Sequence, residues 1–168
     1  GIVGLTDLVL NTNLEPSQRR FLESVDESSN SLSQIIDDIL DYSKIESGEL
    51  ILHEVPFNLR ELVNLSTESF ADRVQDKGLK FTLSFDGDVP DSLVGDPNRL
   101  RQALVSLISN AVKFTERGGV ALRVAVERND EDRVSLLFSL SDTGIGISSE
   151  SRQRVFDAFS QADNSSTR

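Results

Sequence analysis

Apolar residues recur at helical spacing through the first third of the chain. Leu22, Val25, Leu32, Ile36 and Ile39 follow a 3-4-3-4 series in which Ser29 and Ser43 fill the remaining steps. Phe21, Ile35 and Leu40 widen the stripe beyond a two-stranded seam, as a helical bundle requires. The spacing predicts a helix over residues 17–47 that stops at Gly48, a glycine placed as a C-cap. Residues 1–11 form a shorter apolar segment before it, and Asn11-Thr-Asn-Leu-Glu-Pro16 reads as a turn whose proline opens the next helix. An antiparallel helical hairpin follows, although the stripe alone fits any helical bundle. At ~1.5 Å per residue the longer helix runs roughly 47 Å, about three times the first. Leu32, Ile35, Ile36, Ile39 and Leu40 are therefore expected to lack a hairpin partner. Left in water, each forfeits roughly 1.5–3 kcal/mol, so a second chain or preceding residues are expected to cover them.

The pattern changes after Gly48. Residues 49–55 read as a strand closed by Pro56, and residues 59–75 as a helix with Leu62, Leu65, Ser66, Phe70 and Val74 along its inner side. Residues 80–85 alternate as a strand before Asp86-Gly87. Asp96-Pro97 is a strong helix start, with Asp as N-cap and Pro in the first turn. That helix is expected to run to about Thr115, before Gly118-Gly119. Residues 120–127 and 134–141 read as strands joined by the acidic turn Asn129-Asp-Glu-Asp132, and Ser149-Glu150 opens a short final helix through Phe156. The sum is an α+β chain: a helical hairpin, residues 1–48, followed by an α/β sandwich, residues 49–168, with helices on one face of a mixed sheet.

Charge narrows the function classes. Seventeen basic and 28 acidic residues give a net charge of −11, and no basic stripe exists, which argues against a nucleic-acid footprint. No run of 18 apolar residues offers a membrane span. With no Cys, disulfide, zinc-thiolate and thiol-nucleophile readings fall away. The chain has no Met and opens inside an apolar-periodic segment, so it is expected to be a piece of a longer protein.

Two constellations carry candidate chemistry. On the helix from Asp96, Leu100, Ala103, Leu104, Leu107, Ile108 and Ala111 are the expected buried stripe, while Gln102, Ser106, Asn110 and Lys113 fall on another face. Solvated faces usually carry long Glu and Lys, whereas short amides and hydroxyls have mediocre helix propensity, so this face reads equally as solvated surface or as a polar pocket. In Asp142-Thr143-Gly144-Ile145-Gly146-Ile147 a carboxylate precedes a G-x-G turn. Such a carboxylate can accept a hydrogen bond from a purine amine, and glycines let the backbone pass close beneath a base. By itself G-x-G is equally a β-turn ending a strand. Position 149 is Ser rather than a third glycine, and no G-K-[ST] follows, so neither a Rossmann turn nor a P-loop fits.

Four segments in order resemble one family. Ile39-Leu-Asp-Tyr-Ser-Lys-Ile-Glu-Ser-Gly48 is similar to the end of the dimerisation hairpin of hybrid sensor histidine kinases. Arg101-Gln-Ala-Leu-Val-Ser-Leu-Ile-Ser-Asn-Ala-Val-Lys-Phe-Thr115 resembles their N box, and Ser141-Asp-Thr-Gly-Ile-Gly-Ile147 their first glycine box. Val155-Phe-Asp-Ala-Phe-Ser-Gln-Ala-Asp163 resembles their F box. The resemblance covers essentially the whole chain and implies a GHKL-type ATPase domain of the Bergerat fold behind the hairpin. It makes Asp142 the acceptor for the adenine amine, Gly144 and Gly146 the turn beneath the nucleotide, Asn110 a Mg²⁺ ligand and Lys113 a phosphate contact. Phe156 and Phe159 would anchor a loop closing over ATP. It further implies a protein histidine kinase that dimerises through the hairpin and passes phosphate to a response-regulator receiver domain, from a cytoplasmic position in a parent protein whose anchoring in the inner membrane stays open.

The sequence departs from that pattern in three places. The family's N box usually carries a second Asn one turn earlier, where this chain has Ser106. The phosphoacceptor box is expected just before Gly1 and a second glycine box just after Arg168, so no catalytic residue is assigned in this chain and the piece alone is expected to be inactive. His53, the only histidine, sits near Pro56 outside the hairpin and reads as structural. Asp37-Asp38 and Asp41 read as solvated charge on a helix flank. A degenerate, non-catalytic signalling module is the alternative, with Ser106 as its hint; a chaperone or mismatch-repair ATPase of the same superfamily is less consistent with the hairpin.

Overall fold

The computed structural model describes residues 1–130 and 132–148, which divide into two compact units, Gly1–Ile51 and the residues from Leu52 onward. The expected final helix and F box, with Phe156 and Phe159, lie outside the described residues. Among the described residues no helix is long and apolar enough to cross a membrane.

The first unit is a helical hairpin of α1 (Ile2–Leu10) and α2 (Pro16–Glu46). Pro16 occupies the first turn of α2, where its missing N–H costs nothing, and the Glu15 N–H donates to Gln18 Oε1 at 3.1 Å. Helix α2 ends as expected at Gly48, whose φ of +72° is the left-handed conformation glycine adopts without a Cβ penalty. Gly48 N–H donates to the Ile45 carbonyl at 3.1 Å and Glu49 N–H to that of Lys44 at 2.9 Å, the paired bonds of a Schellman cap. Leu32, Ile35, Ile36, Ile39 and Leu40 are all exposed, as the unequal helix lengths require.

The second unit is α+β. Its strands are β1 (Val55–Asn58), β2 (Lys80–Phe85), β3 (Ser92–Gly95), β4 (Gly119–Asn129) and β5 (Val134–Asp142). Its helices are α3 (Leu59–Glu68), α4 (Ala71–Asp76) and α5 (Pro97–Phe114). The strands form a mixed three-stranded sheet, β2-β4-β5, and a separate antiparallel pair, β1-β3. β2 runs parallel to β4, and β5 antiparallel to it. Side chains alternate across a strand, so one face of the three-stranded sheet collects Phe81, Leu83 and Phe85 from β2, Val120, Leu122 and Val124 from β4, and Leu140 and Phe138 from β5. This face packs with Leu59 and Val63 of α3 and Leu104 and Ile108 of α5 into the core.

Four expectations need correction. Residues 49–54 are not a strand; β1 begins at Val55 and contains Pro56. In a two-stranded pair each strand has an open edge, and a proline's missing donor is harmless there. β3 adds a strand that the local pattern does not mark, its four residues pairing antiparallel with β1. The expected helix over residues 59–75 is two helices. Near the end of α3, Ser66, Thr67 and Ser69 hydroxyls donate to the carbonyls of Leu62, Asn64 and Ser66, local bonds that compete with helix continuation. Phe70 then turns inward to 5% exposure, while Leu65 faces solvent and Val63 takes its expected place in the core. On α5 the buried stripe is Leu104, Ile108, Ala111 and Val112; Ala103 and Leu107 are exposed. α3 and the sheet approach α5 from a side rotated relative to the expected one.

Candidate functional site

Asp142 is the last residue of β5 and pairs with Val120. Val120 is in turn paired with Phe81, so Asp142 extends an otherwise apolar row on the sheet face that carries the helices. The alternation of β5 thus delivers a carboxylate to the helix side of the sheet, where the sheet ends and solvent begins. Asp142 is exposed. Its Oδ1 accepts the Gly144 N–H at 2.9 Å, an Asx-type bond that sets the turn. Among the described residues, Oδ2 has no hydrogen-bond partner.

Four contacts fasten this turn in place. Ile145 N–H points to the Phe114 carbonyl at 3.4 Å, tying the turn to the last residue of α5. Thr143 N–H donates to the Gly119 carbonyl at 3.1 Å. The Thr143 hydroxyl donates to the Arg117 carbonyl at 2.9 Å and accepts the Gly119 N–H at 3.0 Å. Thr143 therefore bolts the glycine turn to the loop between α5 and β4. Nothing local marks it: within the motif it looks like filler.

Helix α5 begins where expected. Asp96 Oδ1 accepts the N–H groups of Asn98 and Arg99, each at 3.1 Å, and Oδ2 accepts the main-chain N–H of His53 at 2.9 Å. The His53 bond is the leading cause that holds the Asp96 carboxyl below its ordinary pKa, followed by the Arg99 bond. His53 is exposed. Toward the other end of α5, Asn110 is exposed and has no side-chain partner among the described residues. It lies one turn, about 6 Å of helix axis, before Phe114. Lys113 is exposed, with Nζ 5.2 Å from the centroid of the Phe114 ring. Leu107, Asn110 and Phe114 share a face at i, i+3 and i+7, so the half-exposed Leu107 (53%) and Phe114 (45%) flank the free amide. The structure thus gathers Asn110 and Lys113 near the end of α5 to which the Asp142–Gly146 turn is bonded. Ser106 is exposed one turn before Asn110, whereas Gln102 is half-buried.

The donor set limits what metal it could hold. Among the described residues no cluster of three or more His, Asp and Glu side chains could cage an ion. The Asn110 oxygen is a single hard ligand, which suits a Mg²⁺ whose remaining ligands are phosphates and waters.

Known proteins resemble this chain in sequence and fold. Residues 1–48 match the family model described as His Kinase A (phospho-acceptor) domain, and residues 95–168 match the one described as Histidine kinase-, DNA gyrase B-, and HSP90-like ATPase. Over all 168 residues the chain is 43% identical to the signal transduction histidine-protein kinase BarA of Escherichia coli K12. It is 45% identical over the same length to the sensor histidine kinase GacS of Pseudomonas protegens. It spans 18% of each of these relatives. Among solved structures, full-length ShkA in complex with AMPPNP matches with a TM-score of 0.74 and 32% identity, over 96% of this chain and 34% of that one. A segment matching the phospho-acceptor model and one matching the ATPase model follow one another in this chain, and the chain belongs to the sensor histidine kinase family.

Proposed function

We propose that the second unit binds Mg-ATP between the Asp142–Gly146 turn and the exposed face of α5, and that the full-length protein uses it to phosphorylate a histidine of its hairpin. One observation carries this reading: a carboxylate with one oxygen unpartnered among the described residues, at the helix-side end of β5, on a turn hydrogen-bonded to the end of α5 near Asn110 and Lys113. Asp142 Oδ2 accepts the adenine amino N–H. The glycine turn gives the base a close backbone floor, and the apolar flank of Leu107 and Phe114 borders the same face. Asn110 would hold the metal ion that accompanies the phosphates, and Lys113 would supply a cation to them. Magnesium would neutralise charge developing on the transferred phosphoryl group. The protein's own share is positioning and electrostatics.

The hairpin has the complementary task. The exposed apolar ridge from Leu32 to Leu40 on α2 is covered by the same ridge of a second copy, giving a homodimer. The acceptor belongs to the hairpin of the full-length protein rather than to His53. A response-regulator receiver domain takes the phosphoryl group from it.

Titration of the full-length protein with a fluorescent ATP analogue, with and without Mg²⁺, tests the site. Magnesium-dependent binding, together with an acid-labile, base-stable phosphoprotein, is the expected result. No nucleotide binding would reject the reading and leave a non-catalytic signalling module, the class to which the Ser106 departure points.

A further inference from the structure

The C-terminal end of α5 leaves four carbonyls, those of Val112, Lys113, Phe114 and Thr115, that no later turn of the helix can satisfy. Phe114 gives its oxygen to Ile145 N–H. The other three are taken by one side chain: Lys77 Nζ donates to Val112 O at 2.7 Å, Lys113 O at 2.9 Å and Thr115 O at 3.2 Å. Lys77 lies at least 35 residues from these partners in sequence. It is itself held in place as the C-cap of α4, where Gly78 at φ +62° closes a second Schellman cap through Gly78 N–H to Gln75 O and Leu79 N–H to Val74 O, both 2.9 Å.

We infer that Lys77 is a positioning residue of the nucleotide site, resting on the reading of that site given above. An ammonium group has three N–H donors and no acceptor, and here all three are committed to main-chain oxygens. Lys77 therefore has no donor left for a phosphate and works through the helix end. Its cation also sits at the negative end of the α5 dipole, next to which a polyphosphate would otherwise be disfavoured. By fixing the last turn of α5 it sets where the Phe114 carbonyl points, and so where the Asp142–Gly144 turn docks relative to Asn110. Guanidinium is a planar fork and cannot converge on the same three oxygens, so arginine is a poor substitute despite its charge.

The test uses Lys77→Met and Lys77→Arg in the full-length protein, with two readouts: affinity for a fluorescent ATP analogue, and amide hydrogen exchange of Ile145 and Thr115 without nucleotide. Lys77→Met is expected to bind nucleotide roughly tenfold more weakly, in line with the loss of other groups that orient a ligand-holding residue. Exchange at Ile145 should quicken while that of Leu122 in the sheet centre stays slow, and Lys77→Arg should fall between. Affinity within twofold of the parent, with Ile145 protection unchanged, overturns the inference. So does full rescue by Lys77→Arg with unaltered Ile145 exchange, because charge alone would then suffice. If Lys77→Met does not fold, Lys77→Arg decides on both readouts. Failure of the parent protein to bind nucleotide would count against the proposed function, while exchange at Ile145 would still decide whether Lys77 sets the turn.

Discussion

Gly144 lies directly against the main-chain carbonyl of Phe114: a Cβ built on it would meet that oxygen at 2.5 Å and Asp142 Oδ1 at 2.9 Å. Both obstacles are fixed, one being backbone and the other already bonded to Gly144 N–H. Gly144→Ala must push the turn off the end of α5. It should cost about 1–3 kcal/mol of stability and remove measurable nucleotide binding. Gly146 is different: among the described residues nothing lies within 4 Å of a Cβ built on it, and its φ is +69°. Gly146→Ala should cost only about 1–2 kcal/mol of backbone strain, and Gly146→Asn less. Thermal melts of the three variants check the order.

Asp142→Asn keeps an Oδ1 acceptor for Gly144 N–H but removes the charge from the exposed side of the turn. The fold should be unchanged by circular dichroism. Nucleotide affinity should fall roughly 10- to 100-fold, the range for a hydrogen bond to an ionised group. Equal affinity in the variant would show that the purine amine is bound elsewhere.

Ser106 stands one helical turn before Asn110 on the exposed side of α5. Ser106→Asn adds a longer amide carbonyl there and should raise Mg-ATP affinity several-fold while leaving affinity for free adenosine alone. Unchanged Mg-ATP affinity would show that the hydroxyl does not weaken the site.

Thr115 is fully buried, and its hydroxyl has no hydrogen-bond partner among the described residues, although its main-chain N–H and carbonyl are both used. A buried hydroxyl without a partner is a desolvation cost that a methyl group does not carry. Thr115→Val should therefore be neutral or stabilising, by up to about 1 kcal/mol, in chemical denaturation. Marked destabilisation would reveal a bound water serving that hydroxyl.

Asp96 joins the start of α5 to the chain at His53, and these bonds depress its carboxyl pKa. Asp86 is lowered as well, by the paired bonds from Arg123 at 2.9 and 2.7 Å. A carboxyl whose folded pKa lies below its unfolded value stabilises the fold above the unfolded pKa, near pH 4, and loses that contribution as pH falls through the folded value. Acid melts should thus steepen below about pH 4. Asp96→Asn, which keeps one capping oxygen but turns an N–H donor toward the His53 N–H, should flatten that slope by lowering the melting temperature at pH 7 while leaving it little changed in acid.

Much of the scaffold was legible because its signals are local. Asp96-Pro97 announces the start of α5, Gly48 the end of α2, and the alternation over residues 80–85 and the apolar run within 134–141 two strands that carry the core. The G-x-G turn and Asn110 could be singled out by residue type. What stayed hidden depends on partners distant in sequence. β3 exists only through β1, and Pro56 enters a strand only because that pair has open edges. The rotation of the α5 stripe, which leaves Leu107 exposed and buries Val112, is set by where α3 arrives. The roles of Thr143, inside the glycine motif, and Lys77, outside any, leave no local mark, since their bonds reach 24 to 38 residues back or forward to main-chain atoms.

The parallel pairing of β2 with β4 sets the order in which the molecule can assemble. β4 and β5 are separated by a short turn and can zip together as soon as both are made. β2 must instead wait for a crossover through β3 and α5 to close, a slower, entropically costly event. The row Phe81–Val120–Asp142 needs both pairings, so a ribosome-bound chain should finish the sheet end that carries Asp142 only after β5, the last of the five described strands in sequence, has emerged.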